Sequence, residues 1–172
     1  MTRTRPTGAK GAAVSSDIFP TSDAPAHSGG AGRWLRGAAR VLAAAGLAVD
    51  AYMHAYLAER YDAVAADISQ GTLFRIEAAI AALAALLVLV WHRWPVDLFA
   101  WCVAAGGLAL LLIYRYADIG SWGPFPDMYE PLWYGEKRAA VVAQAVAVVA
   151  TVFLLLYRPA PRTRRPRHRR LH

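Results

Sequence analysis

LFAWCVAAGGLALLLIY, residues 98–114, contains no charged side chain. A helix of this length rises about 25 Å, and with its flanking residues it reaches across the roughly 30 Å of a membrane's hydrocarbon core. Lipid offers the peptide backbone no hydrogen-bond partner, so an apolar segment of this length is expected to cross it as a helix. We therefore predict a transmembrane helix over residues 98–116.

Three other segments meet the same requirement of length and composition: residues 37–57, 76–94 and 139–157. The first of them is the least apolar, because it carries Arg40, Asp50 and His54. A basic flank before a short apolar run is also the pattern of an internal signal peptide. That alternative fits less well, because the apolar run is only nine residues long and no convincing cleavage motif follows it.

The composition agrees with a membrane protein. Of the 172 residues, 57% are hydrophobic and only 18% are charged, and the mean hydropathy is +0.28 although both ends of the chain are polar. Soluble domains are about 45–50% apolar and about 25% charged. These values, with a single cysteine, exclude a disordered chain, a disulfide scaffold and a conventional soluble enzyme. The predicted fold class is an all-α membrane protein, a four-transmembrane-helix bundle over residues 33–157 with disordered termini.

Both ends of the chain are predicted to be disordered tails. Residues 1–32 are rich in Ser, Thr, Ala, Gly and Pro and contain no apolar run that could offset the entropy of ordering. Residues 158–172 hold seven arginines among three prolines. An arginine-rich tail next to a membrane is expected to bind anionic lipids. A nucleic-acid or protein ligand is the weaker alternative, and we expect no nucleic acid.

The distribution of basic residues predicts the orientation in the membrane. Ten Arg or Lys side chains lie on the side of the two tails and the second loop, and five lie in the first and third loops. Because cytoplasmic segments carry the excess of basic residues, both termini are expected in the cytoplasm of a multi-pass protein of the cell (inner) membrane. The first and third loops would then face outward.

Polar side chains in the predicted spans mark a candidate site in the outer leaflet. Asp50 and His54 are four residues apart and share one helix face, while Glu77 and Gln144 enter their spans from the same side of the membrane. Arg40 lies near the opposite end, where a long side chain can reach the interface. The predicted polar cluster consists of Asp50, His54, Glu77, Arg75, Arg115 and Gln144.

Three interpretations of this cluster remain open. The groups could satisfy one another structurally, which we favour. A carboxylate–imidazole pair could also relay protons or ions, since it titrates near neutral pH. Asp50, His54 and Glu77 could instead bind a divalent first-row metal, although no established ligand spacing supports this.

The third loop, DIGSWGPFPDMYEPLWYGEKR (residues 118–138), is too aromatic for a free loop, and its glycines and prolines exclude a long helix. We expect it to fold against the outer mouth of the bundle or to lie in the interface. Asp127 and Glu130 would then be able to face Asp50, His54 and Arg115. As a lid or partner surface, its candidate residues are Trp122, Asp127, Tyr129, Glu130, Trp133 and Tyr134.

No motif for enzymatic chemistry or cofactor binding occurs in the sequence. It has no phosphate-binding glycine loop, no GxSxG and no HExxH. A bis-histidine haem is not expected, because His54 and His92 fall at different depths. We therefore expect no cofactor and favour a protein without enzymatic activity.

The segments DAYMHAYLAERY (50–61), SQGTLFRIEA (69–78) and DIGSWGPFPDMYEPLWYGEK (118–137) resemble a group of small four-helix membrane proteins of actinobacteria. The resemblance covers roughly residues 34–157 and leaves out both tails. That group has no assigned activity, so the resemblance implies a fold and a membrane location and no site residues. A looser similarity to four-helix DoxX-like bundles is one of topology alone.

The sequence thus predicts an accessory or structural membrane protein that presents an aromatic loop outside the cytoplasm and has a membrane-protein partner. The alternative is a small transporter or a component of a membrane oxidoreductase that uses Asp50, His54 and Glu77.

Overall fold

A computed structural model describes residues 28–157, and four helices make up most of them. Their bounds are Ser28–Ala58 (α1), Gln70–Val90 (α2), Trp94–Tyr116 (α3) and Gly135–Leu156 (α4), with a 3₁₀ turn, Glu59–Tyr61, directly after α1. Within residues 28–157 there is no β-strand, only two isolated bridges. All four helices are long and apolar enough to cross a membrane. The predicted all-α, four-helix fold class is confirmed.

Each helix begins earlier than the sequence predicted. α1 begins at Ser28, so the last five residues of the predicted N-terminal tail are helical. α2 begins at Gln70 because the Ser69 hydroxyl accepts a hydrogen bond from the Thr72 amide at 3.0 Å, which caps the helix. The rest of the predicted N-terminal tail, residues 1–27, and the basic tail, residues 158–172, lie outside the described residues.

The connection between α2 and α3 also lies earlier in the chain. The second span was predicted to run to residue 94, but α2 ends at Val90 and Trp94 already belongs to α3. Pro95 lies in the first turn of α3. Amide groups in the first turn have no carbonyl partner within the helix, so the N–H that proline lacks is not missed there, and its fixed φ is already helical. Pro95 therefore starts the helix instead of separating it from its predecessor.

The helices form an antiparallel bundle in which α1 packs on α2 and α4, and α3 closes the ring between them. The short connection 91–93 and both ends of the described chain lie at one end of the bundle, which we call the termini end. There Arg36 of α1 donates hydrogen bonds to the carbonyl oxygens of Leu154 and Tyr157. The two longer connections, residues 59–69 and 117–134, lie at the other end and together form what we call the cap.

Small side chains fill the interior of the bundle. The completely buried apolar residues are Ala43, Leu47, Ala81, Ala84, Val88, Ala100, Ala104 and Ala147. A Cβ atom on Gly46 would lie 2.5 Å from the carbonyl oxygen of Ala143, so α1 and α4 approach closely at this glycine. Large apolar side chains instead cover the outer surface, such as Leu86 on α2 and Val149 on α4. Small residues inside and large apolar residues outside are typical of helix packing in lipid.

Candidate functional site: two polar clusters and a structured cap

The centre of the site is a set of polar side chains in the cap-side half of the bundle, Asp50, His54, Glu77 and Gln144, which we call the core cluster. Asp50 and Gln144 are both 0% exposed. Gln144 Nε2 donates a hydrogen bond to Asp50 Oδ1 at 2.8 Å and so joins α4 to α1. Asp50 reaches this position because it lies on the face of α1 that also buries Ala43 and Leu47.

His54 is fixed by the residue one turn before it. Its Nδ1 lies 3.1 Å from Asp50 Oδ1 and 3.0 Å from the main-chain oxygen of Asp50. Because both of these oxygens are acceptors, Nδ1 carries the hydrogen. The edge of the ring meets the Phe74 ring at a centroid distance of 5.2 Å. The imidazole is thereby held between α1 and α2.

Gly107 of α3 brings Glu77 and Gln144 together. An ideal Cβ atom at residue 107 would lie 2.6 Å from Gln144 Nε2 and 2.8 Å from Glu77 Oε1. Any larger residue would therefore displace one of these two side chains. Gly107 was not part of the predicted polar cluster, although a glycine pair in the middle of a span is the signal that could have placed it there. With Gly107, all four helices contribute to the core cluster.

Three oxygens of the core cluster have no hydrogen-bond partner. Asp50 Oδ2, Glu77 Oε1 and Gln144 Oε1 are all buried and accept no hydrogen bond from the part of the chain that the structure describes. Most buried polar atoms in proteins are paired, so three unpaired acceptors in one cluster need an explanation.

The core cluster is not arranged as a His/carboxylate metal site. In residues 28–157 no three His, Cys, Asp or Glu side chains are arranged to hold a metal ion. His54 contacts Asp50 through Nδ1, so only its Nε2 atom would be available to a metal ion. The described residues therefore give no support to the divalent-metal interpretation.

The two arginines predicted in the cluster lie elsewhere. Arg75 forms a two-pronged ion pair with Asp62 on the surface, at 2.7 and 2.8 Å. The hydrogen bonds from Arg75 lower the pKa of the Asp62 carboxyl. The guanidinium of Arg115 lies 4.9 Å from the ring centroid of Tyr116 and 5.2 Å from that of Trp133. Arg115 thus packs against aromatic rings at the base of the cap and does not bond to the core cluster.

A second buried cluster, which the sequence analysis missed, lies at the termini end. Arg40 and Asp97 are 4% and 2% exposed. Arg40 Nη1 lies 2.9 Å from Asp97 Oδ1 and donates a hydrogen bond to the Val88 carbonyl at 2.8 Å, while Nη2 donates to Asp97 Oδ2 at 3.2 Å. The expectation that Arg40 extends to the interface is wrong, because Asp97 in the first turn of α3 neutralises it inside the bundle. Opposite charges at the same end of two predicted spans were the available signal.

Glu130 joins the two connections of the cap to each other and to α4. Tyr61 Oη lies 2.9 Å from each Glu130 carboxylate oxygen, and the Tyr134 hydroxyl donates to Glu130 Oε2 at 3.2 Å. Lys137 Nζ donates to the Glu130 carbonyl at 2.7 Å and lies 3.3 Å from Oε2. Burial, together with the contacts to Tyr61 and Glu130, raises the pKa of the Tyr134 hydroxyl. This phenol therefore stays protonated and continues to donate at neutral pH.

The remaining residues of the third loop face away from the core cluster. Trp122 is 75% exposed and Leu132 70%, while Tyr129 and Trp133 are 38% and 37% exposed. Asp127 is exposed and accepts a hydrogen bond from the Tyr129 amide at 2.9 Å, which is a local turn. The predicted contact of Asp127 and Glu130 with Asp50, His54 and Arg115 is therefore wrong. Glu130 is paired within the cap, and Asp127 with its own backbone.

Two surface pockets flank the bundle. One, of about 360 Å³, opens beside Glu130 and is lined by Leu57, Arg60, Tyr61, Glu130, Tyr134 and Glu136. The other, of about 510 Å³, is an apolar groove between α1 and α4 around Gly46. Neither pocket is lined by Asp50, Glu77 or Gln144. The core cluster is thus closed off from both.

Four apolar helices around a small-residue interior define the class of the molecule as a multi-pass helical membrane protein. Comparison of the chain with protein-family models, with curated proteins and with solved structures gave no match.

Proposed function

We propose that this chain is a non-enzymatic accessory protein of the cell (inner) membrane that uses its cap to engage a partner membrane protein. The contrast between the two sides of the cap supports this proposal. The side that faces the bundle is fixed by Glu130, whereas Trp122 and Leu132 on the opposite side are 75% and 70% exposed. A rigid surface with exposed aromatic and aliphatic groups loses little entropy on binding, which favours association.

The proposed orientation has both termini in the cytoplasm and the cap outside. The excess of arginine at the termini end supports it, since Arg33, Arg36 and Arg93 join the seven arginines of residues 158–172 on that side. The proposal also assigns residues 158–172 to anionic lipid headgroups of the inner leaflet. No nucleic-acid partner is part of it.

Cysteine labelling tests the orientation. In a Cys102→Ala background, single cysteines at Ser16 and Thr163 are expected to resist a membrane-impermeant maleimide in intact cells. A cysteine at Ser121, which is exposed in the cap, is expected to react. Labelling of either tail position in intact cells would contradict the orientation.

Photo-crosslinking tests the role of the cap. A photoreactive amino acid at Trp122 or at Leu132 is expected to give the same crosslinked partner in intact membranes. Leu86, which is 58% exposed on the side of α2, is the matched control for a lipid-facing position. Co-purification of that partner should be lost in the W122A/L132A double variant and kept in L86A. The cap proposal fails if positions 122 and 132 give no common product, or the same products as position 86.

The second candidate function is that of a small transporter or of a component of a membrane oxidoreductase. The unpaired oxygens of the core cluster favour it. Such a protein needs a water-filled path to Asp50, whereas a packed accessory bundle does not. A cysteine at Ala51, next to Asp50 and 8% exposed, distinguishes the two. Rapid reaction with a small hydrophilic maleimide would favour the transporter, and no reaction would favour the accessory protein.

A further inference from the structure

The core cluster contains more hydrogen-bond acceptors than donors. Its two observed donors, Gln144 Nε2 and His54 Nδ1, both lie against Asp50 Oδ1, at 2.8 and 3.1 Å. Asp50 Oδ2, Glu77 Oε1 and Gln144 Oε1 remain without a donor from residues 28–157. Leaving a buried acceptor unpaired is unfavourable, and lipid cannot supply the missing partner.

The charge of the cluster is also incomplete. Asp50 and Glu77 contribute two negative charges when ionised, and His54 can contribute at most one positive charge. The nearest cation on α3 is Arg115, which packs on Tyr116 and Trp133. The corresponding cation on α4, Lys137, is bonded to Glu130. Within the described residues, therefore, no further side chain neutralises the second carboxylate.

The two carboxylates of the cluster lie against one amide group. Glu77 and Gln144 meet at Gly107, where an ideal Cβ would lie 2.8 Å from Glu77 Oε1 and 2.6 Å from Gln144 Nε2. Asp50 is hydrogen-bonded to the same Gln144 amide. Three helices thus bring two carboxylates and one amide group to one place, and neither surface pocket is lined by Asp50, Glu77 or Gln144. Oxygen ligands select hard cations, and a closed site selects an ion that has lost its water shell.

We propose that Asp50, Glu77 and Gln144 bind one dehydrated sodium ion, for which protons compete. The ion accepts electron density from the three unpaired oxygens and supplies the missing positive charge. His54 is not one of the proposed ligands; its Nδ1 atom lies against Asp50 and orients that carboxylate. This site is independent of the partner proposed for the cap, so either proposal can fail without the other.

Thermal unfolding of the full-length protein in detergent micelles tests the site. The apparent Tm is compared in NaCl, KCl and choline chloride at equal ionic strength and pH 8. NaCl alone is expected to raise it, by about 3–5 °C for each tenfold increase above the dissociation constant. At pH 5 the increase should shrink as protons occupy the carboxylates. Equal Tm values in NaCl and choline chloride at pH 8 would overturn the proposal.

Two charge-removing variants locate the ion. E77Q and D50N keep the shape of each side chain and are each expected to abolish the NaCl-dependent increase. E136Q, which changes a partly exposed glutamate outside the cluster, is expected to keep it. A full NaCl response in E77Q would place the ion elsewhere and overturn the site, even where D50N does not fold. The sodium site would also be overturned if the apparent Tm depends on pH but not on NaCl, and if E77Q removes that pH dependence. The occupant would then be a proton.

Discussion

Helix α1 carries two buried polar clusters on one face, ten residues or about 15 Å apart, and they differ in how completely their groups are paired. At the termini end, the two Nη atoms of Arg40 reach both oxygens of Asp97 and the carbonyl of Val88. Arg36 Nη2 also lies 3.9 Å from Asp97 Oδ2, so two arginines face one carboxylate there. In the core cluster, three buried oxygens lack a donor and two carboxylates share one imidazole.

The difference follows from the donors available. A guanidinium presents five N–H groups in a planar fork, enough to bond a carboxylate and a carbonyl together. An imidazole and a primary amide present fewer donors, and in the core cluster both are directed at Asp50 Oδ1. A buried carboxylate that arginines neutralise has a structural role, whereas a cluster with more acceptors than donors can bind a further group.

Removing Arg40 is expected to have the largest effect. Arg40→Leu leaves Asp97, which is 2% exposed, with only the more distant Arg36 at 3.9 Å, so the free energy of unfolding should fall by about 3–5 kcal/mol. Denaturant unfolding in micelles measures it. The double variant R40L/D97L should recover most of the loss, and R33L, at an exposed position of α1, should change little. A loss in R40L as small as that in R33L would contradict the assignment.

The two glycines of α3 give a sharper test of the core cluster. Gly107→Ala places a methyl group against Gln144 and Glu77 and is expected to cost about 1–3 kcal/mol through overpacking. Gly106→Ala is the matched control, because a Cβ there meets nothing within 4 Å. Its stability should stay the same or increase slightly, since alanine favours the helix. Equal stabilities of the two variants would mean that Glu77 and Gln144 do not meet at residue 107.

In the cap, a smaller effect is expected from Tyr61→Phe. The change removes one hydroxyl at Glu130 and should cost about 0.5–1.5 kcal/mol, because a single hydrogen bond is lost. Limited proteolysis of the solubilised protein should then cut residues 117–134 faster. Tyr52→Phe is the control, since Tyr52 is 62% exposed on α1. Equal cleavage rates for the two variants would show that Tyr61 does not hold the cap.

The smallest effect is expected at the exposed pair Asp62–Arg75. Because the pKa of Asp62 is lowered in the folded protein, its contribution to stability is complete above the ordinary value of 3.8 and is lost as the pH falls through the lower, folded value. Hydrogen exchange at the start of α2 should accelerate over that range. Asp62→Asn should remove this pH dependence, and D67N, at an exposed position of the same loop, should not. High salt should weaken the pair.

The sequence was sufficient for the four spans, because length and the absence of charge decide whether a segment can cross lipid. It was insufficient for their ends, which depend on local features such as the Ser69 cap and the position of Pro95. Part of the core cluster could be predicted, because Asp50, His54, Glu77 and Gln144 lie in the same half of the predicted spans. Helix register decided the rest, since Arg75 and Glu77 are two residues apart and cannot face the same side.

The sequence marks Arg40, Asp97 and Gly107 as unusual positions, but it does not show which side chains they contact. These contacts depend on how each helix is rotated about its axis, which packing against the other three helices determines. The aromatic composition of the third loop predicted that it folds against the bundle or lies in the interface, but it did not show which of its side chains are exposed, and Trp122 and Leu132 are among the most exposed.

Helix α1 has the lowest mean hydropathy of the four, 1.4 against values between 2.2 and 2.6. The partners of its buried charges are synthesised later, since Asp97 follows Arg40 by 57 residues and Gln144 follows Asp50 by 94. At about 5–20 residues per second, Asp50 waits roughly 5–20 s for the amide that binds it. During that interval α1 needs a polar environment, such as the interior of the insertion machinery. Assembly in the membrane can therefore finish only when the last helix has arrived.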